Sequence, residues 1–209
     1  RVYVTTGVNF PDSLAVSTIA ARDGDPILLT QTGQLPAVTR TELQRLAPDE
    51  VVILGSELAV NAAVFNQVQS ALPGADVRRV GGETRYHTAA MLALENFGPA
   101  PVDTLYLSTG TNFPDGLAVG PIAGLNNSPV LLVPQTGEVQ QVVFDAIADL
   151  NPGRIVFLGD INAITAEVRT QLDVVAPSLD VEIPEDRLAF LYSTVLESAE
   201  TGQTYDWSQ

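Results

Sequence analysis

Apolar residues along the chain fall into two alternating rhythms. Short β-branched or aliphatic runs, VYVTT (2–6), PILLT (26–30), VVIL (51–54) and VRRV (77–80), read as buried strands. Between them SLAVSTIAAR (13–22), AVTRTELQRL (37–46) and VNAAVFNQVQSAL (60–72) carry apolar positions at helical spacing. The pattern then starts again with LYLST (105–109), PVLLV (129–133), RIVFL (154–158) and VEI (181–183). Alternating strands and helices predict parallel sheets covered on both faces.

The second half repeats the first in letters as well as in rhythm. TTGVNFPDSLAV (5–16) returns as STGTNFPDGLAV (108–119). DPILLTQTGQL (25–35) returns as SPVLLVPQTGEV (128–139) with one inserted residue, and LAPDEVVILGSELAV (46–60) as LNPGRIVFLGDINAI (150–164). The last quarter is weaker: residues 77–97 face 181–200, where Arg85 meets Arg187 but Tyr86, the paired glycines and Thr88 find no counterpart. Such self-similarity predicts two α/β domains, 1–100 and 101–209, joined near GPAPVD (98–103). The second is expected to end in an acidic helix and tail.

The repeated phrase has a folding reading and a binding reading. Asn9 suits a helix N-cap, Pro11 fits the first turn, and Asp12, three after Asn9, makes a variant capping box whose charge suits the helix dipole. On that reading the phrase is a strand-to-helix joint, written once per domain. Ligands in open α/β sheets, however, bind beyond the carboxyl ends of the strands. Thr5, Thr6, Gly7 and Asn9 fall there, with Gln31, Thr32 and Gly33 after the second strand and Gly55 and Ser56 after the third. Thr109, Gly110, Asn112 and Asp115 are the second copy's counterparts. These groups are mostly small, polar and neutral, a recognition surface rather than a reaction centre.

Composition narrows the classes. The 209 residues contain no Cys and one His, His87, so disulfides and thiolate metal sites are excluded. A zinc hydrolase or a Ser–His–Asp catalyst would have to rest on that single ring. All ten basic residues are Arg, against 25 acids, for a net charge of −15. The imbalance lies in the second half: residues 1–80 hold eight acids and six Arg, residues 81–209 seventeen acids and four Arg. Duplex DNA and anionic membranes are poor partners for such a surface. No apolar run approaches a membrane span. The chain opens on Arg1 without a leader, and is expected to be a processed or trimmed segment.

TGVNFPDSLAV and TGTNFPDGLAV, PILLT and PVLLV, VVILG and IVFLG, and GGETRYHTAA (81–90) together resemble the cell wall-binding repeat 2 family of bacterial surface proteins. The resemblance covers most of residues 2–173. The family usually opens each repeat on a glycine–arginine–tyrosine motif, which here survives only as Gly81, Gly82, Arg85, Tyr86 and Thr88. The resemblance implies two tandem three-layer α/β/α domains, similar to Rossmann and toprim folds, with mainly parallel sheets. It implies an extracellular protein held to the cell wall through an anionic glycopolymer, and three repeats in a pseudo-trimer in many members. By analogy Ile27, Leu28, Leu29, Val130, Leu131 and Leu132 become polymer-binding candidates, although a continuous apolar run reads first as buried strand. A −15 chain should repel an anionic polymer, so either Arg78, Arg79 and Arg85 supply the contact, or divalent cations bridge, or the partner differs.

The expected ligand-binding set is Thr6, Gly7, Asn9, Asp12, Gln31, Thr32, Arg85, Thr109, Gly110, Asn112 and Asp115. No catalytic residue, metal or cofactor is assigned. A lone carboxylate at a helix start, as at Asp12 and Asp115, caps more often than it ligates, and Asp23 with Asp25 reads as a solvated turn. Arg85 either grips a polymer oxygen or makes an internal ion pair. His87 is read as an ordinary surface or boundary residue, and Tyr205 with Trp207 as either a docking pair or a frayed end. The function expected is a non-catalytic wall anchor, with possible self-association. The alternative is a structural subunit of a surface layer or filament assembling head to tail. Family repeats often accompany amidases, but an amidase domain needs its own zinc ligands, which one His cannot supply.

Overall fold

The computed structural model describes residues 1–98, 101–112, 114–173 and 178–179. The first repeat runs β1 (Val2–Thr6), α1 (Pro11–Asp23), β2 (Ile27–Thr30), α2 (Ala37–Leu46), β3 (Glu50–Leu54), α3 (Ala62–Ala71), β4 (Asp76–Val80) and α4 (Arg85–Phe97). The second runs β5 (Thr104–Thr109), α5 (Pro114–Leu125), β6 (Val130–Val133), α6 (Gln141–Leu150), β7 (Arg154–Phe157), α7 (Ala166–Asp173) and β8 (Ser178–Leu179). Each repeat forms a four-stranded parallel sheet, in the orders β2-β1-β3-β4 and β6-β5-β7-β8. The fold is therefore the parallel α/β class that the alternation predicts. The strand expected at 181–183, the acidic tail, Arg187, Tyr205 and Trp207 lie outside the described residues.

Side chains along the strands alternate between two buried layers, as the two-residue period requires. Val2 and Val4 of β1, with Val51 and Ile53 of β3, pack under Leu43 of α2 and Val64 and Val68 of α3. Tyr3, Val52 and Leu54 face the other way, onto Ala15, Val16 and Ile19 of α1. That second layer does not stop at the end of the repeat. It continues through Ala89, Leu92 and Ala93 of α4 into Leu105, Leu107, Leu131, Ile147 and Phe157 of the second repeat, one contiguous apolar cluster.

Two helix contacts join the repeats. α1 lies directly on α5, which turns Gly116, Gly120 and Gly124 toward it. A Cβ on Gly124 would stand 2.8 Å from the Ala21 Cβ and from the Thr18 carbonyl, so only glycine admits the backbones this close. α4 crosses from the first repeat and packs on β6 and α6. This crossing separates two strands the sequence reads alike. Val130, Leu131 and Leu132 are buried as expected, but Ile27 and Leu28 are only half-buried and Leu29 is 54% exposed. The expectation of a buried second strand is thus corrected for the first repeat. The strands are equally apolar; β6 has α4 across it, whereas β2 makes no comparable contact among the described elements.

Candidate functional site

The loops after β1, β2 and β3 and the start of α4 meet at the carboxyl ends of the first sheet. They enclose an open cavity of about 550 Å³, lined among others by Thr6, Val8, Asn9, Asp12, Thr32, Ser56, Leu58, Thr84, Arg85 and Tyr86. Of the residues singled out from sequence, Thr6, Asn9, Asp12, Thr32 and Arg85 come together here. Gly7 donates its N–H to the Thr30 carbonyl at 2.8 Å and continues the strand ladder. Gln31 is exposed and lies off the lining.

The expected capping box does not form. The N-cap of α1 is Phe10, and no side chain caps it. Asn9 Oδ1 instead accepts from the Phe10 N–H at 3.0 Å, closing a bond to the very next residue. Pro11 does open the helix, where its missing N–H costs nothing. Asp12 sits in the first turn, as the helix dipole favours. Released from capping, its side chain turns toward the end of β3, where a Cβ on Gly55 would stand 2.4 Å from Oδ2.

Gly55 lies directly beneath the Asp12 carboxyl. It holds φ of +89°, and its carbonyl accepts a 2.7 Å hydrogen bond from Arg79 Nη1. Gly81 presses against the same peptide: a Cβ there would lie 2.3 Å from the Gly55 carbonyl carbon. Gly82 gives its N–H to Thr88 Oγ1 at 3.1 Å and packs under the His87 ring. The GGETRYHT segment thus works as a tight joint that carries the chain from β4 into α4. Thr84 caps that helix, accepting from the His87 N–H, and donates to Gln140 Oε1 of the second repeat at 2.8 Å. The Arg85 guanidinium, for which a polymer contact or an ion pair was expected, donates through Nη1 to the Gly110 carbonyl of the second repeat.

Electrostatics mark Asp12. Burial pushes its carboxyl above the usual carboxylate range, and the Arg85 charge pulls it partly back. Asp12 has no hydrogen bond among the described residues. Its counterpart Asp115 leans in the same way on Gly159, and is also pushed up by burial, with the charge of Asp160 adding to the effect. Thr109 and Thr111 share a 2.8 Å hydroxyl–hydroxyl bond, and Asn112 is exposed. The second set therefore sits at the equivalent strand ends of the second sheet, with Gly110 packed against Arg85 and Tyr86 of the first-repeat cavity wall.

The remaining candidates find internal partners. Arg78 pairs with Glu50 and Glu95. Arg22 pairs with the exposed Asp23, and the Arg1 amino group stands 3.5 Å from Asp25. Sequence reasoning passed over Val8 and Leu58, which stand at the cavity mouth 77% and 90% exposed. An apolar residue inside a turn phrase was the available signal. The sequence marks Arg79 as a cation; its hold on Gly55 is not legible there, because the second repeat makes that bond from another position. There Arg169 Nη2 donates to the Gly159 carbonyl at 2.8 Å. Arg169 aligns with Phe65, the ring on which Arg79 stacks at 6.0 Å, so two sequence positions serve one place in space.

Among the described residues there is no group of three or more His, Asp or Glu side chains able to hold a metal, and no helix long and apolar enough to cross a membrane. Fold and site define a repeat protein of parallel α/β units, joined through helices, with an open cavity of mixed polar and apolar lining at the carboxyl ends of the strands. The chain belongs to the cell wall binding domain 2 family, whose model matches residues 1–65 and 79–169. It is 31% identical over 172 residues to the amidase enhancer of Bacillus subtilis, covering 82% of this chain and 23% of that protein. It is 26% identical over 169 residues to the N-acetylmuramoyl-L-alanine amidase LytC of the same organism, covering 81% of this chain and 33% of LytC. Among solved structures it is similar to Cwp6 of Clostridium difficile, with a TM-score of 0.75 at 25% identity over 85% of this chain and 28% of that one. The chain thus spans about a quarter to a third of the length of these three relatives.

Proposed function

We propose that this chain is a non-catalytic extracellular module that holds a surface protein to a cell-wall glycopolymer. The observation that carries the reading is the cavity at the strand ends, whose polar side chains are mostly hydroxyl and amide groups set among apolar ones, in a chain of a cell wall binding family. Such groups bind sugar hydroxyls; they supply no nucleophile–base pair and no metal cradle. Similarity to an amidase and to an amidase enhancer fits a module that localises a partner activity held elsewhere in a longer protein. The test is sedimentation of the purified chain with cell-wall sacculi before and after their glycopolymer is stripped. Retention only on polymer-bearing walls is expected. Equal retention on both, or none, overturns the anchor.

One observation favours a second, compatible reading: self-association on the surface. Leu117, Pro121 and Leu125 form an exposed apolar stripe on α5. Their repeat counterparts on α1 are Leu14, Thr18 and Arg22, the face that α5 covers within the chain. The stripe therefore continues an existing interface, and a second copy seated on it would make a head-to-tail contact. Light scattering across a concentration series tests it: growth in mass that Leu117→Asp abolishes is expected, and constant monomer mass sinks it.

A further inference from the structure

Resting on the anchor reading, we propose that the first-repeat cavity takes an uncharged sugar ring of the polymer, bound by sugar hydroxyls that donate to the Asp12 carboxylate, while the polymer's charged groups stay outside.

The argument is one of donors and acceptors. An ionised carboxylate only accepts hydrogen bonds, with room for about four. Asp12 is half-buried, leans over Gly55 inside the cavity, and receives none from the described protein. Phosphate and carboxylate groups of an anionic polymer also only accept, so they cannot complete Asp12 and are repelled by it. Sugar hydroxyls donate, and each can accept in turn from Thr, Ser and Asn groups such as Thr6, Thr32, Ser56 and Asn9 around the same cavity. The charged lining is two acids, Asp12 and Glu83, against one cation, Arg85, whose Nη1 is engaged by the Gly110 carbonyl. The other cations the sequence offers nearby, Arg78 and Arg79, are held by Glu50 and Glu95 and by the Gly55 carbonyl. No surplus of positive charge faces the ligand.

The mouth supplies the other half of a pyranose site. The Val8 N–H donates to Thr6 Oγ1 at 3.1 Å and the Leu58 N–H to Ser56 Oγ at 3.4 Å, so short turns shape the backbone that carries both exposed aliphatic side chains at the rim. Aliphatic rims suit the C–H faces of a sugar ring, as polar floors suit its hydroxyls. The second repeat lacks this pairing: Val8 becomes Thr111, Leu58 becomes Asn162, and Ser56 becomes Asp160, a second carboxylate acting on Asp115. The first cavity is therefore the sugar site.

The experiment is wall retention measured at low salt and at about 1 M NaCl, where the Debye length falls to about 3 Å, for the wild type and for Asp12→Asn, Arg85→Gln and Leu58→Asp. The Asp12→Asn side chain has the same shape without the buried charge, and Leu58 is exposed, so both variants should fold; far-UV circular dichroism checks this. The expected result is retention that changes less than about twofold with salt and drops about tenfold in Asp12→Asn, the size of one lost charged hydrogen bond, with a fall in Leu58→Asp as well. Retention that collapses at high salt or disappears in an Arg85→Gln variant whose circular dichroism and thermal stability match the wild type, or that survives in Asp12→Asn or in Leu58→Asp, overturns the neutral-sugar site while leaving the anchor intact. Absence of wild-type retention at both salts overturns the anchor itself.

Discussion

A left-handed glycine ends the third strand of each repeat, with φ of +89° at Gly55 and +84° at Gly159, and each lies beneath an aspartate. At Gly55 two constraints coincide. The backbone angle disfavours any L side chain, and a Cβ would meet both Asp12 Oδ2 at 2.4 Å and the Ala59 Cβ at 2.9 Å. Gly55→Ala should lower stability by about 1–3 kcal/mol, the usual cost of a forced backbone conformation, and displace Asp12 from the cavity. Urea unfolding followed by circular dichroism measures the first effect; a loss under about 0.5 kcal/mol, the ordinary range for neutral surface changes, refutes it. Asp12 itself carries a pH signature. Its folded value is raised above 3.8, so the native state holds its proton more tightly than the unfolded chain does. That relative stabilisation is fully present below the ordinary carboxylate value and is lost as pH rises through the raised folded value. The wild type should therefore fall behind Asp12→Asn as pH climbs through this window, and a stability difference independent of pH contradicts the assignment. Much at this scale was readable: the repeated TG–NFPD phrase puts Thr6, Asn9 and Asp12 at the strand ends. The cap was not, because Asn9 satisfies the adjacent N–H while Phe10 takes the cap position, a choice of one backbone angle that residue type alone leaves open.

Elements meet by surface shape, and the α1–α5 pair shows how finely. Gly120 and Gly124 both face α1, but their neighbours differ. A Cβ on Gly120 would meet chiefly the Ser17 side chain, its Oγ at 2.7 Å, and that hydroxyl can rotate away. On Gly124 it would meet the Ala21 Cβ, the Thr18 carbonyl and the Arg22 N–H, all within 2.9 Å, and backbone cannot step aside. Gly124→Ala should cost about 1–3 kcal/mol by overpacking, and Gly120→Ala clearly less, although both gain helix propensity. Paired denaturant curves decide it; equal losses would mean that the helices separate freely. The glycine spacing at 116, 120 and 124 was visible in the sequence, but its partner was not. Nor was the unequal fate of ILLT and VLLV: local letters predict two buried strands, and only the path of α4 across β6 distinguishes them.

For the whole molecule the question is whether two similar repeats make two folding units. The duplication invites that division at residue 100. The apolar cluster that runs from Tyr3 and Leu54 through α1 and α4 to Leu107, Leu131 and Phe157 argues for one cooperative unit, since neither repeat closes that layer alone. Leu92 lies at its centre, 1% exposed, on the helix that crosses between repeats. Truncation of a buried leucine costs about 2–5 kcal/mol, the lost transfer energy plus the cavity left behind. If the core is shared, Leu92→Ala should lower the unfolding free energy of both repeats by the same amount. Native-state hydrogen exchange read separately on amides of β1 and β3 and of β5 and β7 makes the comparison. Equal loss of protection in both sheets is the expected outcome. Loss confined to one sheet, or two resolved unfolding transitions in the wild type, would mean that the repeats fold independently and that α4 only rests on its neighbour. The same measurement bears on function. The cavity is built on the first sheet, but Thr84 and Arg85, which line it, are tied to Gln140 and Gly110 of the second. Independent repeats would let that wall move, whereas a single cooperative unit holds it fixed for a ligand.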